Sequence, residues 1–165
     1  MNTKPNKGFT LVELIVVILL LAIISATAFS RFGGRQVYEL YALQEQASSV
    51  IRQIQLNRMQ SNMNMSVSGA ESLRLVAANN CIGAQSACDN TSETRSDVIS
   101  SDDYNFSSIP ASSYTSPIEF NLLGNPENTA SSGVQITISS NNSSDRAWVC
   151  INSQGFVYPS NQECP

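Results

Sequence analysis

Four cysteines, Cys81, Cys88, Cys150 and Cys164, are the side chains with the most distinctive chemistry in this chain of 165 residues. The chain has no histidine, which removes the commonest general base and the commonest metal ligand. Six residues separate the first two cysteines and thirteen the last two, and neither gap is the spacing typical of a zinc site. An even number of cysteines instead favours disulfides formed in an oxidising compartment. We therefore expect no metal and no cofactor.

The acidic residues of the chain do not form a catalytic constellation. Asp102 and Asp103 are the only adjacent acidic pair beyond residue 60, and we interpret them as a solvated loop, with a calcium site as the alternative. After Gln60 the chain has three arginines and ten acidic residues, a net charge of −7. A nucleic-acid binder needs clustered lysine and arginine to displace counterions. These observations predict a protein that is not an enzyme and argue against a nucleic-acid partner.

One further carboxylate, Glu13, lies inside an apolar stretch, residues 9–29, whose other polar members are Thr10, Ser25 and Thr27. A helix of this length spans about 31 Å, close to the hydrocarbon thickness of a bilayer. A carboxylate within such a segment raises the free energy of membrane insertion, so we expect Glu13 to have a function. The simpler alternative is a glutamate that reaches the membrane interface and has no role.

A cleaved secretory signal is the alternative interpretation of the same segment. Lys4 and Lys7 supply the basic region, residues 14–24 the apolar core, and residues 26–28 a cleavage site of two alanines around a threonine. In that case the apolar segment would be absent from the mature protein.

Residues 7–14, Lys-Gly-Phe-Thr-Leu-Val-Glu-Leu, resemble the type IV prepilin motif, in which Gly precedes Phe-Thr-Leu-x-Glu and an apolar helix. The resemblance implies that a prepilin peptidase cleaves between Gly8 and Phe9 on the cytoplasmic side. Residues 1–8 would then be a leader peptide, and the new amino terminus, Phe9, would be N-methylated. It further implies that Glu13 pairs with the amine of a neighbouring subunit and so sets the register of assembly, because a buried carboxylate needs a partner.

Beyond residue 29 the helical pattern continues but becomes amphipathic. Apolar residues recur at steps of three and four, which places them on one helix face: Leu40, Leu43, Ala47, Val50 and Ile54. The glutamines between them, including Gln44 and Gln55, are predicted on the exposed sides. A continuous helix over residues 9–60 would be about 78 Å long. Its lower half, residues 9–29, would be transmembrane and its upper half, residues 30–60, amphipathic, with a bend at Gly33-Gly34.

Residues 61–165 predict a polar, β-rich head. Short β-forming runs occupy residues 73–77, 117–123, 134–139, 147–152 and 155–158, and the last three are spaced as an antiparallel meander. Residues 85–116 are mostly Ser, Thr, Asn and Asp, which predicts a long loop. Trp148 is expected to pack on the helix rather than bind a sugar. The fold class is therefore α+β, and the resemblance implies the type IV pilin fold, a long helix packed on a small antiparallel sheet.

Four cysteines allow three pairings, and the sequence does not select one. We expect Cys81 to pair with Cys88 and Cys150 with Cys164, because each pair is close in sequence. The pilin resemblance also implies a disulfide near the carboxyl terminus. Basic residues lie on both sides of the apolar segment and decide little about topology, but disulfides place the carboxyl side of the membrane-spanning segment outside the cytoplasm.

The head is also similar to minor pilins and minor pseudopilins, through residues 118–125, 134–139 and 149–155. With residues 29–32 and 38–52, it most resembles minor pilins of mannose-sensitive haemagglutinin-type pili. The resemblance implies a low-abundance, non-catalytic subunit that assembles into or initiates a surface pilus for attachment. A minor pseudopilin of a type II secretion system is the first alternative. A pilus-tip adhesin or DNA-receptor subunit is the second.

The resemblance also implies partners and a location. The partners are other pilin subunits, contacted through the N-terminal helix, the prepilin peptidase, the inner membrane and the pilus assembly machinery. The negative charge of the head disfavours nucleic acid as a partner but leaves a surface glycan open. The location is the bacterial inner membrane, spanned once with a periplasmic C-terminal head, and then the extracellular pilus.

Overall fold

The computed structural model describes residues 9–32, 35–89 and 95–165, and it confirms the α+β fold class. Two antiparallel sheets follow two long helices in these residues. The helices are α1 (Leu11–Phe32), α2 (Arg35–Gln60) and the single turn α3 (Gln85–Cys88). The strands are β1 (Leu75–Ala78), β2 (Cys81–Ala84), β3 (Val98–Ser100), β4 (Tyr104–Ile109), β5 (Gly133–Ser140), β6 (Arg146–Asn152) and β7 (Val157–Ser160). Short 3-10 helices occupy Ala70–Leu73 and Asn128–Ala130.

The chain divides into two units, Met1–Tyr38 and Glu39–Pro165, and each is described by itself. In the first unit, helix α1 begins at Leu11 rather than at residue 9. Thr10 precedes it as N-cap, because its Oγ1 accepts a hydrogen bond from the Glu13 N–H at 3.2 Å. The predicted bend at Gly33-Gly34 lies outside the described residues.

In the second unit, α2 packs its predicted apolar face on the sheets. Leu40, Leu43, Ala47, Val50 and Ile54 are all buried, as predicted. They share one core with the inward side chains of β4, β5 and β6, including Phe106, Ile136, Ile138 and Val149. Burial of these side chains holds the helix on the sheets.

Strands β4, β5, β6 and β7 form one sheet in sequence order. The antiparallel meander predicted for the last three runs is confirmed, with Ile136 opposite Val149 and Ile151 opposite Val157. The last strand begins two residues later than predicted, because Asn152 Oδ1 accepts the N–H groups of Gln154 and Phe156 and holds residues 152–155 in a turn.

Of the first sheet, β1-β2-β3, only β1 was predicted, as the run over residues 73–77, and the prediction of a long loop over residues 85–116 is wrong. That segment contains α3, β3 and β4. In β4 the buried residues are Phe106 and Ser108, between exposed Asn105, Ser107 and Ile109. A serine on the inward face hides the alternation of apolar and polar residues on which a strand prediction depends.

The strand predicted over residues 117–123 is also wrong. Ile118 and Phe120 are buried but form only isolated bridges, one to Leu75 and one to Pro126. Because the two residues pair with different segments, no ladder develops between them.

Candidate functional site

The N-terminal segment places the residues implied in processing and assembly next to one another. Phe9 and Thr10 precede helix α1 and are exposed, and Glu13 lies at the third position of the helix, exposed as well. Thr10 and Glu13 have the spacing of a capping box, in which the N-cap hydroxyl accepts the N–H of the third helical residue. Gly8 lies outside the described residues.

Over residues 11–28, helix α1 exposes its apolar side chains on every side. The window Leu11–Ala28 is long and apolar enough to cross a membrane, by length and composition, and none of it is buried. The hydroxyls of Ser25 and Thr27 donate to carbonyls of the preceding turn, at 2.7 Å to Leu21 and 2.9 Å to Ile24. Such bonds satisfy hydroxyl groups where water is absent. A helix that is apolar all round requires lipid or other helices around it.

The four cysteines form two disulfides in the head. Cys81 is bonded to Cys88 and ties β2 to α3, with the Cα atoms 5.9 Å apart. Cys150 is bonded to Cys164 and ties β6 to the tail that follows β7, with the Cα atoms 5.8 Å apart. Of the three pairings that the sequence leaves open, the structure has the one that joins neighbours in sequence.

A row of polar side chains on α2 binds backbone carbonyls of the head, which corrects the predicted exposure of Gln44 and Gln55, whereas Gln46 is exposed as predicted. Gln44 and Gln55 are buried, with 3% and 7% of their surface exposed. Gln44 Nε2 donates to the carbonyls of Trp148 and Ser160, and Gln55 Nε2 to those of Gly124 and Gly155. The signal that could have found them is helical spacing, because Gln44 lies seven residues before, and Gln55 four residues after, the fully buried Ile51.

Two arginines of α2 extend this row. Arg52 Nη2 donates to the Val157 carbonyl at 2.8 Å, and Arg58 Nε donates to the Phe120 carbonyl at 2.9 Å. The donors of the row thus reach β6, β7 and the two turns beside them. Each donor binds a backbone carbonyl, so hydrogen bonds as well as apolar packing hold α2 on the head.

Trp148 does not pack on the helix as expected. Its neighbours Ala147 and Val149 are fully buried in the core beneath α2, whereas Trp148 is half-buried. Because side chains alternate along a strand, Trp148 lies on the opposite, outer face of the sheet. The carbonyl group of Trp148 accepts a hydrogen bond from Gln44 of α2.

Charged groups of the head pair one with another rather than gathering in a cluster, as where Arg74 Nε lies 3.0 Å from Glu119 Oε1. Asn142 Nδ2 donates to an Asp103 carboxylate oxygen, and Asn141 Nδ2 donates to the carbonyl of Asp102. Over the described residues, no three or more of His, Cys, Asp and Glu come together as metal ligands. A two-point ion pair with Arg95 lowers the pKa of Asp97 below its ordinary value.

Residues 3–29 match the family described as the prokaryotic N-terminal methylation motif. The chain carries this type IV prepilin-like signal. The motif is typical of type IV pilin-like and pseudopilin-like proteins, structural subunits that a prepilin peptidase processes and that associate with other pilin subunits. The exposed apolar helix of this pilin-like chain is consistent with membrane anchoring. Comparison with curated proteins and with solved structures found no match.

Proposed function

We propose that the chain is a minor type IV pilin, a non-catalytic subunit that assembles into or initiates a surface pilus used for attachment. The observation that carries the proposal is helix α1, which follows the methylation motif directly and exposes apolar side chains on every side. Association of such a helix, first with lipid and then with other subunits, removes this surface from water. The resemblance to pilins of mannose-sensitive haemagglutinin-type pili belongs to this proposal.

Processing takes place between Gly8 and Phe9 in this proposal, and methylation takes place on Phe9. Phe9 and Thr10 precede the first helical residue, so the bond to be cut lies two residues before the start of α1. Residues 1–8 leave as the leader, 9–29 form the membrane and filament-core segment, 30–60 continue as the amphipathic segment, and 61–165 form the head. The head reaches the periplasm, where disulfides form, and later the extracellular pilus.

Glu13 then acts in assembly. Cleavage creates a cationic amine at Phe9, and the Glu13 carboxylate is a partner for the amine of a neighbouring subunit. A subunit inserted out of register would leave both charges unpaired in an apolar environment. The desolvation penalty of such an unpaired buried charge is on the order of several kcal/mol per ion. Thr10 supports this arrangement as the N-cap that fixes the start of the helix at Leu11, so that Glu13, four residues after Phe9, lies in the first helical turn.

Intact-mass spectrometry of the chain from its native membrane tests the processing step. A mass corresponding to residues 9–165 plus about 14 Da for one methyl group is expected, with a gain of about 4 Da on reduction of two disulfides. A mass that begins at residue 29 would identify a cleaved secretory protein and overturn the proposal.

Incorporation of Glu13→Val tests the assembly step. We expect the variant to insert in the membrane and be processed, yet to be at least about tenfold depleted from sheared filaments. Glu45→Val is the matched control, because it removes an exposed carboxylate from α2. Normal incorporation of Glu13→Val would contradict the role of Glu13.

A minor pseudopilin of a type II secretion system would use the same N-terminal helix. Deletion of the gene separates the two functions: loss of surface filaments supports the pilin, and loss of exoprotein secretion with filaments intact supports the pseudopilin. A tip adhesin or receptor role depends on the head surface, whose net charge of −7 disfavours DNA.

A further inference from the structure

Two turns of the head share one hydrogen-bonding pattern. In the first, residues 121–125, the side-chain oxygen of Asn121 accepts the N–H groups of the third and fifth residues, at 2.9 and 3.0 Å. In the second, residues 152–156, Asn152 Oδ1 accepts the corresponding two N–H groups, both at 2.9 Å. The fourth residue of each turn is a glycine with a positive φ, whose N–H donates to the carbonyl of the asparagine. We refer to them as the paired turns.

The backbone N–H groups of the paired turns are bonded mostly within each turn. The N–H of the first residue donates to the carbonyl of the fifth, at 2.9 and 3.0 Å, so four of the five N–H groups in each turn have an internal partner. The carbonyl groups of both glycines accept from Gln55 of α2. Because an unpaired backbone polar group opposes transfer into an apolar environment, this internal bonding favours burial of the turns against an apolar partner.

The side chains that the paired turns present to solvent include large apolar groups. Leu122, Leu123 and Phe156 have exposed fractions of 54%, 74% and 63%. The turns lie side by side, because a Cβ atom at Gly155 would overlap the carbonyl oxygen of Gly124. Neither turn contains a charged residue. The apolar side chains of the two turns therefore belong to one uncharged surface.

Two side chains of α2 extend this surface. A Cβ atom at Gly124 would lie 3.2 Å from Met59 Sδ, so Met59 packs beside the first turn. Leu56 lies three residues earlier on the same helix face, and the exposed fractions of Leu56 and Met59 are 52% and 48%. Arg52, four residues before Leu56, donates to the Val157 carbonyl and lies at the edge of the surface. We define the apolar tip patch as Leu56, Met59, Leu122, Leu123 and Phe156.

The area of the apolar tip patch favours one class of partner. Five side chains of about 200 Å² each, roughly half to three-quarters exposed, give an area on the order of 500–600 Å². A stable protein interface buries about 800 Å² on each partner, so the patch alone is too small to hold a second copy of the head. A lipid surface needs no matching counter-surface, because its binding strength scales with the apolar area that enters it.

We propose that the apolar tip patch inserts into a phospholipid bilayer with zwitterionic headgroups. The net charge of −7 after residue 60 repels an anionic lipid surface. The Arg52 guanidinium at the edge of the patch suits the phosphate group that a zwitterionic phospholipid still carries. The proposal goes beyond the proposed function, because it gives the head a membrane contact of its own in addition to the membrane that α1 spans.

Capture of vesicles by the full-length chain tests the proposal. The chain is held in nanodiscs through α1, so that its membrane-spanning segment is already in lipid. Sedimentation with sucrose-loaded phosphatidylcholine vesicles measures the nanodiscs that bind, and empty nanodiscs give the background. We expect capture, and at least about threefold less when about 30% of the lipid is phosphatidylglycerol. Capture that requires phosphatidylglycerol, or no capture above the background, overturns the proposal.

Leu123→Ser is the decisive variant, because it removes an exposed apolar side chain but keeps the backbone N–H that Asn121 binds. We expect at least about fivefold weaker capture, and a further loss when Phe156→Ser is added. Ile109→Ser is the matched control. Ile109 is 67% exposed and lies on β4, at the edge of the sheet opposite to β7, so this variant should capture vesicles as the wild type does. Equal capture by Leu123→Ser and Ile109→Ser overturns the proposal.

A second copy of the chain is the alternative occupant of the patch. Light scattering of the nanodiscs without vesicles tests it, and we expect no association. Association that Leu123→Ser abolishes and Ile109→Ser keeps would identify a second copy as the occupant and overturn the lipid proposal.

Filament incorporation of Leu123→Ser separates the lipid proposal from the proposed function. Wild-type incorporation together with weakened vesicle capture supports a lipid contact made by the head. Lost incorporation together with unchanged vesicle capture would make the patch a contact between subunits and overturn the lipid proposal, while the pilin function stands.

Discussion

Gly155 lies directly against the carbonyl group of Gly124, so that a Cβ atom at Gly155 would overlap the Gly124 carbonyl oxygen. The two glycines belong to separate turns, and both have positive φ angles, 78° and 83°. Gln55 of α2 joins them, because its Nε2 donates to the carbonyl oxygen of each at 2.8 and 2.9 Å. Helix α2 and the two turns therefore meet at one point near the end of the helix.

Gly155→Ala is expected to destabilise the head by about 2–4 kcal/mol, because the new methyl group adds steric overlap to the strain of a positive φ. Gly69→Ala is the control, since Gly69 also has a positive φ but its Cβ position is 3.4 Å from the flexible end of Met63. It should cost about 1 kcal/mol. Denaturant unfolding followed by the fluorescence of the single tryptophan, Trp148, measures both. Equal losses would contradict the close approach of the two turns.

Gln55→Ala is expected to destabilise the head by about 2–3 kcal/mol, because it leaves two carbonyl groups without their donor in a buried place. Gln53→Ala, two residues earlier, removes one exposed hydrogen bond to Ser96 and should change the free energy of unfolding by less than about 0.5 kcal/mol. The same unfolding measurement compares them. A Gln55→Ala variant as stable as Gln53→Ala would show that water replaces the lost donor.

Removal of the second disulfide by Cys150→Ala with Cys164→Ala is expected to cost about 3 kcal/mol, from the entropy of the loop that it closes over a separation of 14 residues. The first disulfide closes a shorter loop, over a separation of 7 residues. Its removal by Cys81→Ala with Cys88→Ala should therefore cost less, about 2.5 kcal/mol. Thermal unfolding of the non-reduced variants gives both values. A larger loss for the first pair would indicate that burial of its sulfur atoms outweighs loop closure.

Acid is expected to destabilise the head in part through Asp97. Its hydrogen bonds with Arg95, the largest cause, lower the pKa of the carboxyl group from the ordinary value of 3.8. Since a group with a lowered pKa stabilises the folded state when ionised, its contribution is complete above that value and is lost as the pH falls through the folded-state pKa. Asp97→Asn should lose about 1 kcal/mol at pH 7 and show a shallower acid dependence than the wild type. Glu163→Gln, an exposed carboxylate, is the comparison, and an unchanged acid dependence in Asp97→Asn would contradict the prediction.

Strong periodic or local patterns were the parts of the fold that could be predicted. Leu40, Val50 and Ile54 recur at helical spacing, and burial in the structure follows that spacing. Strands β5 and β6 alternate apolar and polar residues or cluster β-forming residues, and both were predicted. Strand β4 was missed because Ser108 occupies a buried position that a pattern of apolar residues would assign to solvent.

The sequence by itself determined three features of the N-terminal part of this protein: the methylation motif within residues 3–29, the apolar segment that the motif includes and the amphipathic face of α2. These features depend on residues within a few helical turns of one another, so their spacing in the sequence is their spacing in space. Only the tertiary structure decided the pairing of β4 with β5 and the burial of Gln44 and Gln55. Those contacts join positions that are tens of residues apart, and their partners are backbone carbonyls, which every residue carries and which therefore leave no pattern in the sequence.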